Sequence, residues 1–315
     1  MKVVILDGYA LNPGDLSWDV LNKFGTVSYY DRTPTEAEAI QRIGDAEIVL
    51  TNKVPITDSL LAACPNIRLV CVLATGYNVV DCKATRARNI PVCNVPSYST
   101  EAVAQFTFAL LLELCNQVGL HNQSVHAGEW ENCPDFCYWK TPLTELNGKT
   151  LGIIGYGRIG RTVAKIATAM GMKVLTHSRT QHPCDAHVSL DELLANSDVV
   201  TLHCPLFPET QGIINADTIA KMRDGAILIN TSRGPLIDEQ AVADALACGK
   251  LRGAAVDVVS REPIPGDSPL LTAPNCIITP HIAWAPLETR QRLLDCVIDN
   301  IQCFLDGHPQ NVVNA

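Results

Sequence analysis

The chain has 315 residues, 47% of them hydrophobic and 18% charged, which is enough apolar material for two globular domains at about 100–200 residues each. Its formal net charge of -9 excludes the broad basic face that nucleic acid or an anionic membrane demands, and leaves room only for a local basic pocket around a small anion. The opening MKVVILDGYA enters an apolar strand-like segment without a cleavage pattern, and the most apolar helix candidate, around Phe106–Leu114, is too short for a bilayer. Neither a signal peptide nor a membrane partner is therefore expected.

In chain order, the short β-branched runs VVIL (3–6), EIVL (47–50) and LVCVL (69–73) alternate with helix-like stretches such as TDSLLAACP. That rhythm belongs to a parallel α/β sheet and makes the first hundred or so residues a small α/β domain. From Thr100 to about residue 127 the chain lacks proline, has Thr100 as a plausible N-cap and Glu101 in the first turn, and predicts one helix of about 25 residues, long enough to cross a domain boundary.

The alternation then repeats. Strands are expected at 151–155, 173–177, 198–203, 226–230, 253–258 and 276–279, with a capping box Ser189-x-x-Glu192 and a last helix over 286–306. The first of these strands enters GYGRIG, where Gly155, Gly157 and Gly160 have the spacing of a dinucleotide fingerprint. Gly155 permits the tight turn, Gly157 lets the backbone approach a pyrophosphate, and Gly160 lets the helix pack on the strand, with the helix N-terminus favouring the anion. The strand before and the amphipathic segment after favour nucleotide binding over a merely glycine-rich turn.

Three later segments each follow an expected strand: INTSRGPLID (229–238), DVVSREPIP (257–265) and TPHIAWAP (279–286). They should emerge at the carboxyl edge of the sheet, where ligands bind. Arg233 presents a planar fork of donors suited to an anionic substrate, His281 is a proton donor of suitable chemistry, and Glu262 is a carboxylate able to orient an imidazole. Taken singly, an Arg after a strand is as often a surface ion pair, and a His beside prolines a loop hydrogen-bonder.

The motifs LATGYNVVD (73–81), GKTLGIIGYGRIG (148–160), LHCPLFPET (202–210), NTSRGPLID (230–238), REP (261–263) and PHIAW (280–284) occur in one order over essentially the whole length. With them the chain resembles the D-isomer-specific 2-hydroxyacid dehydrogenases, and within them the glycerate dehydrogenase/hydroxypyruvate reductase branch. The resemblance implies two doubly wound parallel-sheet α/β domains. A Rossmann coenzyme domain (99–286) would be inserted into a smaller flavodoxin-like substrate domain (1–98 and 287–315). It implies an enzyme moving a hydride between a nicotinamide cofactor and a small D-2-hydroxy or 2-oxo acid, hydroxypyruvate or glyoxylate first, with Arg233, Glu262 and His281 catalytic.

By the same resemblance, Thr100, Gly155, Tyr156, Gly157, Arg158, Ile159, Gly160, Ser178, Arg179, Cys204, Pro205, Thr210, Thr231, Ser232, Arg233, Asp257 and His281 line the cofactor, with Tyr98 beside Thr100 at the hinge. Lys53, the turn Ala74, Thr75 and Gly76, Arg233, His281 and Trp284 face the substrate. Lys53 stands equally as a substrate cation or a solvated loop lysine, and Trp284 as a pocket wall or a core aromatic. The family also implies a homodimer through the coenzyme domain, with 100–114 and CPDFCYW as contact surface. A nucleotide-sensing corepressor-like protein on the same scaffold is the alternative function.

The coenzyme choice rests on KVLTHSRT (173–180). An NAD-selecting domain usually carries Asp or Glu about 20 residues after the glycines, and here Ser178 stands in that place, followed by Arg179 and Thr180. Two hydroxyls and a guanidinium suit a 2′-phosphate, so NADP is expected over NAD; the alternative is a solvent-exposed turn that tolerates both. The 13 cysteines, odd in number and scattered over apolar segments, predict reduced core thiols in a cytoplasmic protein. A metal site at Cys133 and Cys137 with His121 and His126 is the weaker alternative, and no metal is expected.

Overall fold

A computed structural model describes residues 1–180 and 186–315. The chain forms two compact units, Met1–Ser99 with Ala285–Ala315, and Thr100–Trp284. Both are α/β, each built on a parallel sheet.

In the first unit the strands β1 (Lys2–Ile5), β2 (Thr26–Tyr29), β3 (Ile48–Thr51), β4 (Leu69–Val72) and β5 (Val92–Cys93) lie in the order β2-β1-β3-β4-β5, with α1 (Glu36–Ile43), α2 (Asp58–Ala63) and α3 (Cys82–Ala87) between them. β2 and β5 carry too little apolar pattern to stand out in the sequence: β2 exposes most of its residues, and β5 has two. Val4, Val49, Val70 and Val72 pack with Ala39, Ile43, Leu60 and Ala84 of the helices, which is why these strands read as almost wholly apolar.

The second unit starts with α4 (Thr100–Asn116) and α5 (Val118–His126), continues through β6 (Thr150–Ile154), α6 (Arg158–Ala169), β7 (Lys173–His177), α7 (Leu190–Asn196), β8 (Val199–Leu202) and α8 (Ala216–Lys221), and ends with β9 (Ala226–Asn230), α9 (Glu239–Ala247), β10 (Leu251–Val256) and β11 (Cys276–Ile278). The strand order is β11-β10-β9-β8-β6-β7. Beyond β7 the sheet has one more parallel bridge, Thr176 to His187, closed by Thr176 N–H to Ala186 O at 2.8 Å and Val188 N–H to Thr176 O at 2.9 Å. The chain therefore winds outward from β6 to His187 and then returns to β8, which puts the topological switch between β6 and β8, beside the fingerprint. Alternate strand residues fill two cores. Leu151, Ile153, Val199, Ile227 and Ile229 meet Phe108 and Leu111 of α4 and Val163 of α6, whereas Ile154, Val200, Leu202, Leu228 and Val256 meet Leu193, Ile219 and Val242 of α7, α8 and α9.

The single long helix expected from Thr100 is two helices bent by 56°, and Thr100 is the first helical residue rather than a cap outside it. The break is at Gln117, which is left-handed (φ 45°, ψ 49°). The Glu113 carboxylate accepts the Gly119 N–H at 3.3 Å and so caps the start of α5, where a side chain at 119 would crowd that carboxylate. No proline or run of breakers advertises this stop. No single helix among the described residues is long and apolar enough to cross a membrane; the bent pair passes such a test jointly, by length and composition only.

The closing helix α10 (Leu287–Leu305) follows Pro286 and belongs to the first unit. Its buried Arg290 grips both carboxylate oxygens of Asp15, at 2.7 and 2.6 Å, and the Leu11 carbonyl at 2.9 Å. Asn300, wholly buried, donates to Asn94 O at 3.0 Å and accepts from Asn311 at 2.8 Å. Asn94 in turn donates its amide to Thr75 O at 2.7 Å, and Thr75 donates its hydroxyl to Val95 O at 2.7 Å. The turn 74–76 is thus held by a chain of buried amides that ends in the last helix.

No two of the described cysteines are bridged, and they are not all in the core. Cys64, Cys71, Cys93, Cys115 and Cys204 are buried, whereas Cys137 and Cys248 are exposed. Cys137 lies on the irregular stretch after α5, where no sheet or helix face covers it, and Cys184 lies outside the described residues.

Candidate active site

Strand register assembles the site within the second unit. Ile154 pairs with His177 and Leu202, Leu202 with Asn230, Asn230 with Val256, and Val256 with Ile278. All six strands end level, so the segments that follow them leave the sheet at one edge. Those segments carry Gly155–Gly157, Ser178–Arg179, Cys204, Thr231–Arg233, Asp257–Glu262 and His281.

At the fingerprint, Gly155 has φ 97° and packs so close to the next crossover that a Cβ would stand 2.3 Å from the Cys204 nitrogen. A Cβ on Gly160 would fall 2.3 Å from the Gly155 carbonyl oxygen, so helix α6 lies directly on the turn. A Cβ on Gly157 would meet nothing within 4 Å, and Gly157 caps α6 with no side-chain bond to its N–H groups. Open space over a helix N-terminus, bounded by tightly packed glycine backbone, fits a dinucleotide pyrophosphate. Tyr156 and Ile159 flank it half-buried, and Arg158 is exposed.

Around this turn the loops are tied to one another. Ser232 donates its hydroxyl to Cys204 O at 2.6 Å, Thr231 and Thr107 share a buried hydroxyl contact at 3.2 Å, and Thr210 closes the 205–210 turn by donating to Pro205 O at 2.7 Å. Burial pushes the Cys204 thiol up to about 11, which keeps it neutral. Ser178 is half-buried and donates to Thr180 O at 2.5 Å, while the exposed Arg179 guanidinium lies over the Phe207 ring, 5.5 Å from its centroid.

The three candidate catalytic residues sit on the last three strand ends. Asn230, fully buried, donates to Arg233 O at 2.8 Å and accepts Ser232 N–H at 3.0 Å, which shapes the turn that presents Arg233. The exposed Arg233 donates to Ser232 O at 2.7 Å, and no carboxylate among the described residues pairs with it, so the remaining donors of its fork are available. The next residue, Gly234, lies against the backbone that leads to Glu262: a Cβ there would be 1.9 Å from the Val259 carbonyl carbon. His281 Nδ1 and Glu262 Oε2 are 2.8 Å apart, and Glu262 Oε1 accepts Val259 N–H at 3.3 Å.

Asp257 holds the histidine loop. It is buried to 1% exposure, and its two oxygens accept Thr279 Oγ1–H at 2.6 Å, Ile282 N–H at 2.9 Å and Ala283 N–H at 2.8 Å. Between those anchors His281 adopts φ 56°, an uncommon conformation for a residue with a Cβ. Trp284, half-buried, ends the unit.

Thr100 is half-buried at the start of α4. Lys53 and the 74–76 turn belong to the first unit. There the Asp7 carboxylate accepts Asn52 N–H at 2.7 Å, Lys53 N–H at 2.5 Å and Val54 N–H at 3.2 Å, and the Lys53 side chain is exposed. Burial raises the Asp7 carboxyl, and these amides oppose the shift. Asn230, Gly234 and Asp7 escaped notice in the sequence; the signal was a polar residue or glycine at or within a few residues of an apolar strand end. As for the Cys–His alternative, His121 Nδ1 is 2.8 Å from Gln117 O and its Nε2 accepts Lys140 N–H at 3.1 Å, and no group of three or more His, Cys, Asp or Glu among the described residues could hold a metal ion.

Residues 108–283 match the family described as D-isomer specific 2-hydroxyacid dehydrogenase, NAD binding domain. The chain is 58% identical to a hydroxypyruvate reductase of Blautia hydrogenotrophica, covering 100% of both chains, and 41% identical to a glycerate dehydrogenase of Methylorubrum extorquens, covering 100% of this chain and 99% of that one. The chain belongs to the D-isomer specific 2-hydroxyacid dehydrogenases. Among solved structures, an acyclic imino acid reductase in complex with NADPH and D-Arg superposes with a TM-score of 0.86 at 31% identity, over 99% of this chain and 100% of that one. The dehydrogenase is accordingly an oxidoreductase that uses a nicotinamide cofactor.

One titration follows from the same sheet edge. Burial holds the His203 imidazole far below its usual range, at about 3; its Nδ1 has no partner among the described residues and its Nε2 is 3.0 Å from Thr201 Oγ1. The unfolded chain takes up this proton near pH 6.5, the folded dehydrogenase only near pH 3, so stability is complete above about pH 6.5 and falls with pH below it. Replacing His203 with Phe should flatten the acid limb of urea stability by about 1.4 kcal/mol per pH unit between pH 4 and 6; an unchanged slope would show that the ring titrates normally.

Proposed function

We propose that the dehydrogenase reduces small 2-oxo acids, hydroxypyruvate first and glyoxylate next, to D-2-hydroxy acids. The observation that carries this is the 2.8 Å contact of His281 Nδ1 with Glu262, beside an Arg233 that no carboxylate among the described residues engages. The names of the relatives support the substrate class and offer no ground for the corepressor-like alternative. In this proposal the second unit is the coenzyme domain and the first the substrate domain, with the 74–76 turn and Lys53 receiving the substrate carboxylate.

Arg233 grips the carboxylate and carbonyl oxygens and polarises the carbonyl. Glu262 accepts the Nδ1–H of His281, which fixes the ring so that Nε2 faces the substrate. His281 then donates its Nε2 proton to the oxygen as it gains charge, and in the oxidative direction takes it back. A bound nicotinamide supplies or receives the hydride. Thr100, Gly155–Gly160, Cys204, Pro205, Thr210, Thr231 and Ser232 would hold the dinucleotide, with the glycine turn at its pyrophosphate, while Asp257 acts through the loop it anchors. The proposed setting is a reducing, cytoplasmic one, supported by the free thiols.

Steady-state kinetics over a panel of 2-oxo acids, beside a cofactor-fluorescence titration, test this. His281→Ala and Arg233→Ala should each lower kcat/KM by about 10²-fold or more while leaving coenzyme affinity within a few-fold. Near-normal turnover in either variant sinks the assignment, and preference for a bulky apolar oxo acid sinks the substrate class.

NADPH is the proposed coenzyme. Ser178 replaces the ribose-binding carboxylate, and Arg179, steadied on Phe207, offers a cation to the 2′-phosphate. Arg179→Ala should cut the NADPH/NADH ratio of kcat/KM by about tenfold; a wild type that favours NADH, or a ratio the variant leaves alone, refutes it.

The proposed assembly is a homodimer through the second unit. Exposed Val118 (64%), Trp130 (52%), Phe136 (89%) and Trp139 (67%) supply apolar surface in and after α5. Light scattering should give twice the chain mass, and a stable monomer at micromolar concentration overturns the proposal.

A further inference from the structure

The parallel register that aligns the strand ends also aligns the strand starts, at the opposite edge of the second unit. There a cleft of about 60 Å³ opens, lined among others by Cys115, Thr144, Lys149, Asp198, Gly225 and Arg252. Lys149, Asp198 and Gly225 each stand one residue before β6, β8 and β9, and Arg252 is the second residue of β10. Cys115 comes from the last turn of α4, and Thr144 from the connection to β6.

The charges in this cleft do not cancel. Arg252 Nη1 donates to Thr144 Oγ1, and the guanidinium also reaches the Cys115 thiol, so it is oriented by two neutral groups. An arginine carries five N–H donors, and these contacts leave several for a ligand. The half-buried Lys149 ammonium has no ion pair or hydrogen bond among the described residues. The one acid of the lining, Asp198, already accepts Thr150 N–H at 2.8 Å and pairs with Arg223 at 3.3 Å. Asp224, beside the rim, is paired with Lys250 at 2.7 Å. Two unmatched cations thus converge on a small cleft in a chain whose net charge is -9.

We propose that this cleft is a binding site for one tetrahedral oxyanion, the phosphate group of inorganic phosphate or of a phosphomonoester. A planar fork beside a point-charge ammonium and a hydroxyl is the donor set that phosphate oxygens take. The volume suits a group of a few non-hydrogen atoms, given about 10–15 Å³ of such volume per water. The site joins the starts of four strands, so occupancy stabilises the folded unit by mass action. It lies at the far ends of those strands from Arg233 and His281, so occupancy leaves turnover unchanged.

The test is thermal unfolding of the protein saturated with its reduced dinucleotide, so that the coenzyme's own phosphate positions are filled. Inorganic phosphate, glycerol phosphate, acetate and chloride are titrated at matched ionic strength. The melting temperature should rise saturably with the phosphates and not with acetate or chloride, and the phosphate of tighter midpoint names the source. Lys149→Gln and Arg252→Gln should each weaken the midpoint about tenfold or more, with kcat unaltered in phosphate-free buffer. If Arg252→Gln fails to fold through loss of its Thr144 contact, Lys149→Gln, whose side chain has no partner among the described residues to lose, carries the comparison. An equal rise in all four salts, or a wild-type midpoint in Lys149→Gln, overturns the proposal.

Discussion

The site depends first on a buried carboxylate. Asp257 sits at 1% exposure with three donors from 279–283 on its two oxygens, a satisfied arrangement that offsets the cost of removing a charge from water. Because the anchors lie on both sides of His281, they hold that residue at φ 56°, which the isolated segment would rarely adopt. The imidazole is thereby delivered to Glu262 at 2.8 Å from one side of the loop, while Gly234 brings the Arg233 turn against the start of the Glu262 segment.

The same economy governs the first unit. Its 74–76 turn has no charged side chain, so its shape depends on backbone partners, and these come from Asn94, which is held by Asn300 of the closing helix. A segment more than two hundred residues downstream in sequence is therefore part of the machinery that holds a turn near the start. This is a physical reason for a discontinuous unit: α10 supplies buried polar atoms that the first 99 residues lack.

Electrostatics divides the second unit into two edges. The carboxyl ends of the strands combine the open N-terminus of α6 with the free donors of Arg233, and suit anionic ligands without a large net charge. The amino ends carry Lys149 and Arg252. In a chain of -9, surface potential alone would repel anions, and binding has to come from donors placed at short range.

The sequence by itself determined the fold class, the fingerprint with its turn, and which polar side chains follow the strand ends, because apolar periodicity, glycine spacing and strand-end motifs are local properties of the chain. It was blind where the deciding contact lies far away along it. The left-handed break at Gln117 depends on the Glu113 carboxylate turning back to Gly119, and nothing in the helix pattern distinguishes that from one continuous helix. Asp257 was legible as a ligand-edge residue, but only the folded chain spends its oxygens on 279–283. Asn230, Gly234 and Asp7 were missed for a related reason: they act through backbone shape, which requires two loops to be in place at once. Strand register made the final decision, since the level ends of β9, β10 and β11 convert three separate motifs into one cluster, and hydrogen-bonded pairing is a property of neighbouring strands that no single segment contains.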